Sequence, residues 1–257
     1  MIVLPGFQER WNEYEALGKQ PLRLTLTLRA GAQMAGYDPL ALDGLLAWSV
    51  VQQLTEGRGV PNSGDDAYLL PVPLECLWRD TEGYPLWAVT LTLPEGVTAT
   101  DVSYRHKKHQ SGRFTKGRRG RFNISPSDGR FMERRVPVPT QIGERWVCEC
   151  IGNAIEVGRL LEYVRAVGKE RARGFGAVDH WLIEPDDQWW LIEDGRLVRS
   201  LPVGAAHLLG HYEPTERPGL GSWTNPGWKP ALWRERWRAG TSVEMLKGDW
   251  QREAQAV

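Results

Sequence analysis

The chain has 257 residues, 32 acidic and 32 basic side chains, 41% hydrophobic and 25% charged residues. That length exceeds the roughly 100–200 residues of one ordinary domain without reaching two generous ones, so a single elaborated soluble domain is expected. No apolar run reaches the roughly 18 residues of a spanning helix, and MIVLPGFQERWNEYEALGK lacks the basic, apolar, small-residue order of a leader, so a cytoplasmic protein with no membrane partner is expected.

In chain order, Pro21 precedes LRLTLTLRA, where Leu22, Leu24, Leu26 and Leu28 alternate with Arg23, Thr25 and Thr27. This period of two predicts a strand with one buried face. After AGYDP, Leu42, Leu45, Leu46, Ser49, Val50 and Leu54 fall near one helical face and predict a helix over Pro39 to Leu54, with Asp38 as its N-cap. YLLPVPLECLW and PLWAVTLTL follow as two strands around the turn RDTEGY, the first at an edge because of Pro71 and Pro73. ERWVCECIG is a return strand, and NAIEVGRLLEYVRAVGK a second helix ending at Gly168. GFGAVDHWLIE supplies another strand, and WWLIEDGRLVRS a hairpin around Asp194-Gly195. From Pro202 the sequence is rich in Gly, Pro and Trp, which predicts an irregular wrap with a helix after Thr241.

The order strand, helix, strand, strand, strand, helix, strand is close to βαββαβ and predicts an α+β fold of the RRM or ferredoxin-like type. The expected organisation is a domain over 1–200, interrupted by an insertion at about 101–136, and an extension over 201–257 packing on it.

The neutral net charge conceals a polarity. Between Tyr104 and Arg135 stand eleven basic residues (Arg105, Lys107, Lys108, Arg113, Lys116, Arg118, Arg119, Arg121, Arg130, Arg134 and Arg135) against Asp128 and Glu133, a local charge of +9 that leaves −9 on the remainder. Tyr104, Phe114, Phe122 and Phe131 are interleaved with them. Spaced cations neutralise phosphates and aromatic rings stack on unpaired bases, so this segment is a candidate RNA-binding thumb, with a solvated loop or an acidic protein partner as the alternatives. His106 and His109 lie in the same stretch and are read as RNA contacts.

A second signal is Gly168-Lys169-Glu170-Arg171-Ala172-Arg173-Gly174-Phe175-Gly176, between the second helix and a strand. Its glycines permit positive φ and close approach of a ligand backbone, while Lys169, Arg171 and Arg173 add charge for phosphates. A glycine C-cap followed by solvent-facing charges is the competing reading. The loop is neither a dinucleotide fingerprint, which follows a strand and opens a helix, nor a P-loop.

A basic, glycine-rich loop ending in GFG at this position resembles the signature of the repeat-associated mysterious proteins, the RAMP superfamily of CRISPR systems. Within it, LRLTLTLRA followed by LDGLLAWSVV, the loop GKERARGFGAV, and GWKPALWRER resemble the type IV subunit corresponding to the Cas-five family. The resemblance implies a ribonucleoprotein subunit that holds the 5′ handle of a guide RNA and caps a filament of backbone subunits. Its implied partners are guide RNA, backbone proteins and large-subunit-like proteins, with contact to target DNA left open.

The alternative within the superfamily is a metal-independent endoribonuclease that processes precursor guide RNA by attack of a ribose 2′-hydroxyl. No catalytic residue, metal ligand set or cofactor site is assigned. His207 and His211 are spaced i and i+4 but lack a clear third ligand, and Glu184, Asp186 and Asp187 read as a polar turn. Cys76, Cys148 and Cys150 are read as structural. The tryptophans toward the C-terminus, Trp223, Trp228, Trp233, Trp237 and Trp250 among them, suit packing and protein interfaces.

Overall fold

A computed structural model describes residues 6–29, 33–36, 40–58, 70–107, 133–222 and 234–245. The chain opens with helix α1 (Phe7–Ala16), which the strand and helix patterns above did not anticipate. Its signal is present in the sequence: Phe7, Trp11 and Tyr14 lie at i, i+4 and i+7, and all three are buried.

Strand β1 (Gln20–Leu28) follows as expected, with Leu22, Leu24 and Leu26 fully buried and Arg23, Thr25 and Thr27 on the other face. Burying each such leucine stabilises the fold by about 1.5–3 kcal/mol. Two short strands come next, β2 (Met34–Ala35) and β3 (Leu40–Ala41). Helix α2 (Leu42–Leu54) therefore begins later than its apolar pattern predicts, because Leu40 and Ala41 pair with a neighbouring strand. Its N-cap position is Ala41, with no side-chain cap, and Asp38 and Pro39 lie outside the described residues.

The expected hairpin around RDTEGY is present but shorter, β4 (Cys76–Arg79) and β5 (Pro85–Trp87) forming their own two-stranded sheet, while the rest of PLWAVTLTL, from Leu91, opens a separate strand of the main sheet. Two long strands follow, β6 (Leu91–Lys107) and β7 (Arg134–Gly152). Helix α3 (Ala154–Leu161) is capped by Asn153, whose side chain accepts from the Glu156 amide at 3.1 Å. It stops well before Gly168. Ala166 instead pairs with Ala177, and the Val167 amide donates to Gly176 O at 2.8 Å, so tertiary pairing wins over continuation of the helix. Strand β8 (Val178–Pro185) completes the main sheet.

That sheet runs β3-β6-β7-β1-β8, with β2 also on β7, and every pairing in it is antiparallel. Because β6 and β1 are both antiparallel to β7, they run parallel to one another with β7 between them and α2 in their connection. Strands β7 and β8 stand in the same relation across β1, with α3 in theirs. The result is a mixed αβ architecture on a mostly antiparallel sheet. Leucines of β1, together with Trp146, Cys148 and Cys150 of β7, face α1, α2 and α3 in one core.

The C-terminal part is more regular than its Gly and Pro content predicts. The hairpin β9 (Ile192–Glu193) and β10 (Arg196–Leu197) turns through Asp194 and Gly195, both at positive φ, as an Asp-Gly turn requires. Beyond lie β11 (Leu201–Pro202), a 3-10 turn (Val203–Leu209), β12 (Tyr212–Pro214), β13 (Gly219–Gly221), β14 (Arg234–Trp237) and β15 (Val243–Met245). After Thr241 the described chain forms β15, and the rest of the segment expected to be helical, 246–257, lies outside the described residues. Leu197, Leu201, Ala205, Leu209 and Val243 build a second core with Tyr84 and Leu86 of the β4–β5 hairpin. Between the two cores, buried Arg199 reaches Asp43 of α2 at 3.6 Å and donates to the Trp87 carbonyl. Among the described residues, no helix is long and apolar enough to cross a membrane.

Candidate nucleic-acid interface

The register of β6 on β7 continues beyond the end of β1. Strand β1 covers β7 only from Arg145 to Gly152, whereas β6 follows it out to Lys107 opposite Arg134. The outer part is thus a two-stranded ribbon, and the +9 segment begins on it. Proline is tolerated there at Pro137 and Pro139 because one edge of β7 is largely unpaired. Of the candidate RNA contacts, Arg105, His106, Arg134 and Arg135 stand on the ribbon, all exposed. Lys107 ends β6 and is described in its backbone alone. Lys108, His109, Arg113, Lys116, Arg118, Arg119 and Arg121 lie outside the described residues.

Side chains alternate across the ribbon, so Tyr104 and His106 share a face with Pro137 and Arg135. The Arg135 guanidinium lies 3.8 Å from the centre of the Tyr104 ring, and that ring is 45% exposed. Arg105 projects to the opposite face.

The glycine-rich loop is a folded object held by backbone hydrogen bonds. Arg171–Arg173 form one 3-10 turn, flanked by Glu170 at φ 54° and Gly174 at φ 90°. The Lys169 amide donates to Ala35 O at 3.0 Å, and the Gly176 amide to Gln33 O at 2.7 Å. On its far side the same segment is bonded to the ribbon, with Ala35 opposite Thr140 and the Gly36 amide donating to Pro139 O at 2.9 Å. Residues 33–36 therefore clamp loop to ribbon, a role that sequence reasoning missed because the segment has no periodicity of its own.

The three glycines divide by cause. A Cβ on Gly176 would stand 1.9 Å from Val167 O, and one on Gly168 would stand 3.0 Å from both Ala35 O and Met34 Cγ. Both positions are required by the loop's own packing. A Cβ on Gly174 would meet nothing within 4 Å. Gly174 alone leaves open backbone on the outer surface.

Glu170 organises the charges. Its carboxylate accepts from Arg105 at 3.2 Å and faces Arg173 at 3.5 Å, so loop and ribbon are joined by side chains as well as by backbone. Arg173 also lies 5.8 Å from the Phe175 ring. The side chains of Lys169, Arg171 and Arg173 are exposed, and Arg171 makes no ion pair among the described residues. Six cations, Arg105, Arg134, Arg135, Lys169, Arg171 and Arg173, thus belong to two elements that residues 33–36 and Glu170 fasten together.

The family model described as CRISPR type IV associated protein Csf3 matches residues 20–234. The chain belongs to the Csf3 family. Among curated proteins, none matches it. The matched span runs from the first residue of β1 to the first of β14, so in this Csf3-family chain it takes in the main sheet, the ribbon and the glycine-rich loop.

Other candidate chemistry stays dispersed. No group of three His, Cys, Asp or Glu side chains suited to a metal ion occurs among the described residues. His207, in the 3-10 turn, and His211 are both exposed. Burial pushes the Cys148 thiol up to about 12 and raises that of Cys150 as well, which keeps both protonated and unreactive.

Proposed function

We propose that this Csf3-family chain is an RNA-binding subunit of a type IV CRISPR ribonucleoprotein, holding the 5′ handle of a guide RNA and capping the backbone filament. The observation carrying this reading is the fastening of the basic ribbon to the glycine-rich loop through Arg105 and Glu170. It sets the loop cations beside the Arg105 side of the ribbon, whose other face carries an exposed, arginine-stacked tyrosine, and cations with a stacking ring are the combination that grips a single strand by its phosphates and bases. The two interleaved β-α-β units support an RRM or ferredoxin-like assignment, since each is split by a strand of the other. Backbone and large-subunit-like proteins are the proposed protein partners, in the cytoplasm.

The proposed role is binding without cleavage. General acid–base transfer needs groups fixed within hydrogen-bond reach of the reacting oxygens. His106, the one ribbon histidine described, is exposed and stands opposite Arg135 in the strand register. The test is a repeat-containing RNA incubated with excess purified chain, beside a substrate with deoxyribose at each candidate cleavage site. Saturable binding with intact RNA is expected. Cutting that disappears in the deoxy substrate would establish the endoribonuclease, and absence of binding would end the RNA-binding reading.

A further inference from the structure

The face of the main sheet that points away from the helices carries three rows of side chains across the strands. The middle row is Leu182, Thr25, Val147 and Leu93, neighbours in the β8-β1-β7-β6 register. It is flanked by Glu184, Arg23 and Glu149 on one side, and by His180, Thr27, Arg145 and Glu95 on the other. The two ends of the middle row are open, with Leu182 47% and Leu93 54% exposed.

At its Leu93 end this stripe runs into a groove of about 650 Å³ between the sheet and the β9–β10 hairpin. Leu93, Val147 and Glu149 form one wall, and Glu193, Asp194 and Arg196 the other. Arg23 bridges Glu95 and Glu149 at 2.8 and 3.0 Å. Even so, burial first, then the charges of Glu193 and Asp186, hold the Glu149 carboxyl above the usual carboxylate range. With Arg145 3.5 Å from Glu95 and Arg196 in the groove wall, four carboxylates (Glu95, Glu149, Glu193 and Asp194) stand here against three arginines (Arg23, Arg145 and Arg196).

We infer that the stripe and groove form a docking site for an extended segment of a partner protein bearing aliphatic side chains and at least one Lys or Arg. The inference rests on the effector-subunit reading above, and it gives the sheet face a different ligand from the ribbon and loop. Three features choose this occupant. Four strands spaced by about 4.8 Å make a stripe about 14 Å long, the reach of four or five extended residues. The stripe takes aliphatic side chains, and the carboxylates at its end take a cation. RNA is disfavoured because the rows contain no Phe, Tyr or Trp for stacking and set Glu149, Glu184 and Glu193 against phosphates. A second copy presenting the same face would bring these carboxylates against themselves.

The test uses the full chain co-expressed with the other proteins of its complex, in three forms: wild type, Leu93→Ser/Leu182→Ser, and Glu193→Lys. All three substituted side chains are exposed, so unchanged thermal melts are expected. Association with the partner proteins, measured after ribonuclease treatment, should fall by about tenfold or more in each variant, the scale set by an interface anchor. Affinity of the isolated chain for single-stranded RNA should stay within about twofold, since phosphate contacts lie elsewhere. A photo-crosslinking residue at 182 should capture a Lys- or Arg-containing segment of a partner subunit. Unchanged partner association, or a crosslink at 182 to RNA or to a second copy of the chain, would overturn the inference. A wild-type chain without RNA affinity would instead sink the RNA-binding reading, which the ribonuclease-treated arm does not depend on.

Discussion

Arg105 and Glu170 are 65 residues apart in sequence, and their side chains meet at 3.2 Å. One stands on a ribbon strand and the other in a loop, each of which reads as a solvated charged segment by itself. Their contact fastens two separate basic stretches together.

The pair should matter more for RNA than for stability. Arg105 is 57% exposed in its side chain, so a double-mutant cycle of Arg105→Ala and Glu170→Ala by urea denaturation should give a coupling of about 0.2–1 kcal/mol. Glu170→Ala alone should tighten single-stranded RNA binding by about two- to fivefold at low salt, because it removes a negative charge worth up to about 1 kcal/mol beside the phosphates. Weaker binding would mean that the Arg105–Glu170 fastening outweighs the charge removed, because loop and ribbon must be held together to grip the strand.

Replacing Lys169, Arg171 and Arg173 together with Ala should flatten the salt dependence of RNA binding. Each phosphate contact to a single strand contributes about 0.7 to the slope of log K against log salt, so loss of three contacts should reduce it by about 2. An unchanged slope would mean that these side chains do not touch phosphate.

The loop glycines should separate by stability. Gly176→Ala drives a Cβ into the Val167 carbonyl and should cost about 3 kcal/mol or more, the range of severe backbone conflict. Gly174→Ala has free space and carries only the left-handed backbone penalty of about 1–2 kcal/mol. Denaturant midpoints measure both, and equal losses would contradict the packing described for Gly176.

Asp43 and Arg199, 4% and 5% exposed, join helix α2 to the second core. Arg199→Met should destabilise by about 3–5 kcal/mol, because the Asp43 carboxylate is left buried without its partner. Asp43→Asn/Arg199→Met should recover much of that loss in the same unfolding assay, since both charges are then gone. A double variant no more stable than the single one would show that the arginine matters through the Trp87 carbonyl instead.

Cys148 and Cys150 should resist iodoacetamide in the native protein at pH 8 and react once it is unfolded, read by mass spectrometry. Their folded pKa values are raised by burial, that of Cys148 to about 12. The stability that comes from keeping these thiols neutral is complete below the unfolded value of about 8.5. It is lost as pH rises from there toward the folded value, because the unfolded chain releases protons first. Replacing Cys148 with Val should therefore make the alkaline decline of stability shallower.

Where local chemistry was sufficient, the sequence by itself determined the structure. Alternating leucines made β1 two-faced, Asp194-Gly195 dictated a turn with two positive φ values, and the concentration of cations between Tyr104 and Arg135 located the candidate interface. The family was legible as well, because its signals are contiguous runs such as LRLTLTLRA and GKERARGFGAV.

Long-range pairing decided the rest. Nothing within residues 33–36 announces a clamp, since its role depends on Lys169, Gly176 and Pro139 arriving beside it. Val164 and Val167 continue the apolar stripe of α3, yet Ala166 pairs with Ala177 and the helix ends at Leu161. A sequence pattern records which face a residue prefers, whereas the partner that completes a hydrogen bond or an ion pair is set by where the whole chain brings its distant segments. For Arg105 and Glu170, only the tertiary structure supplied that partner.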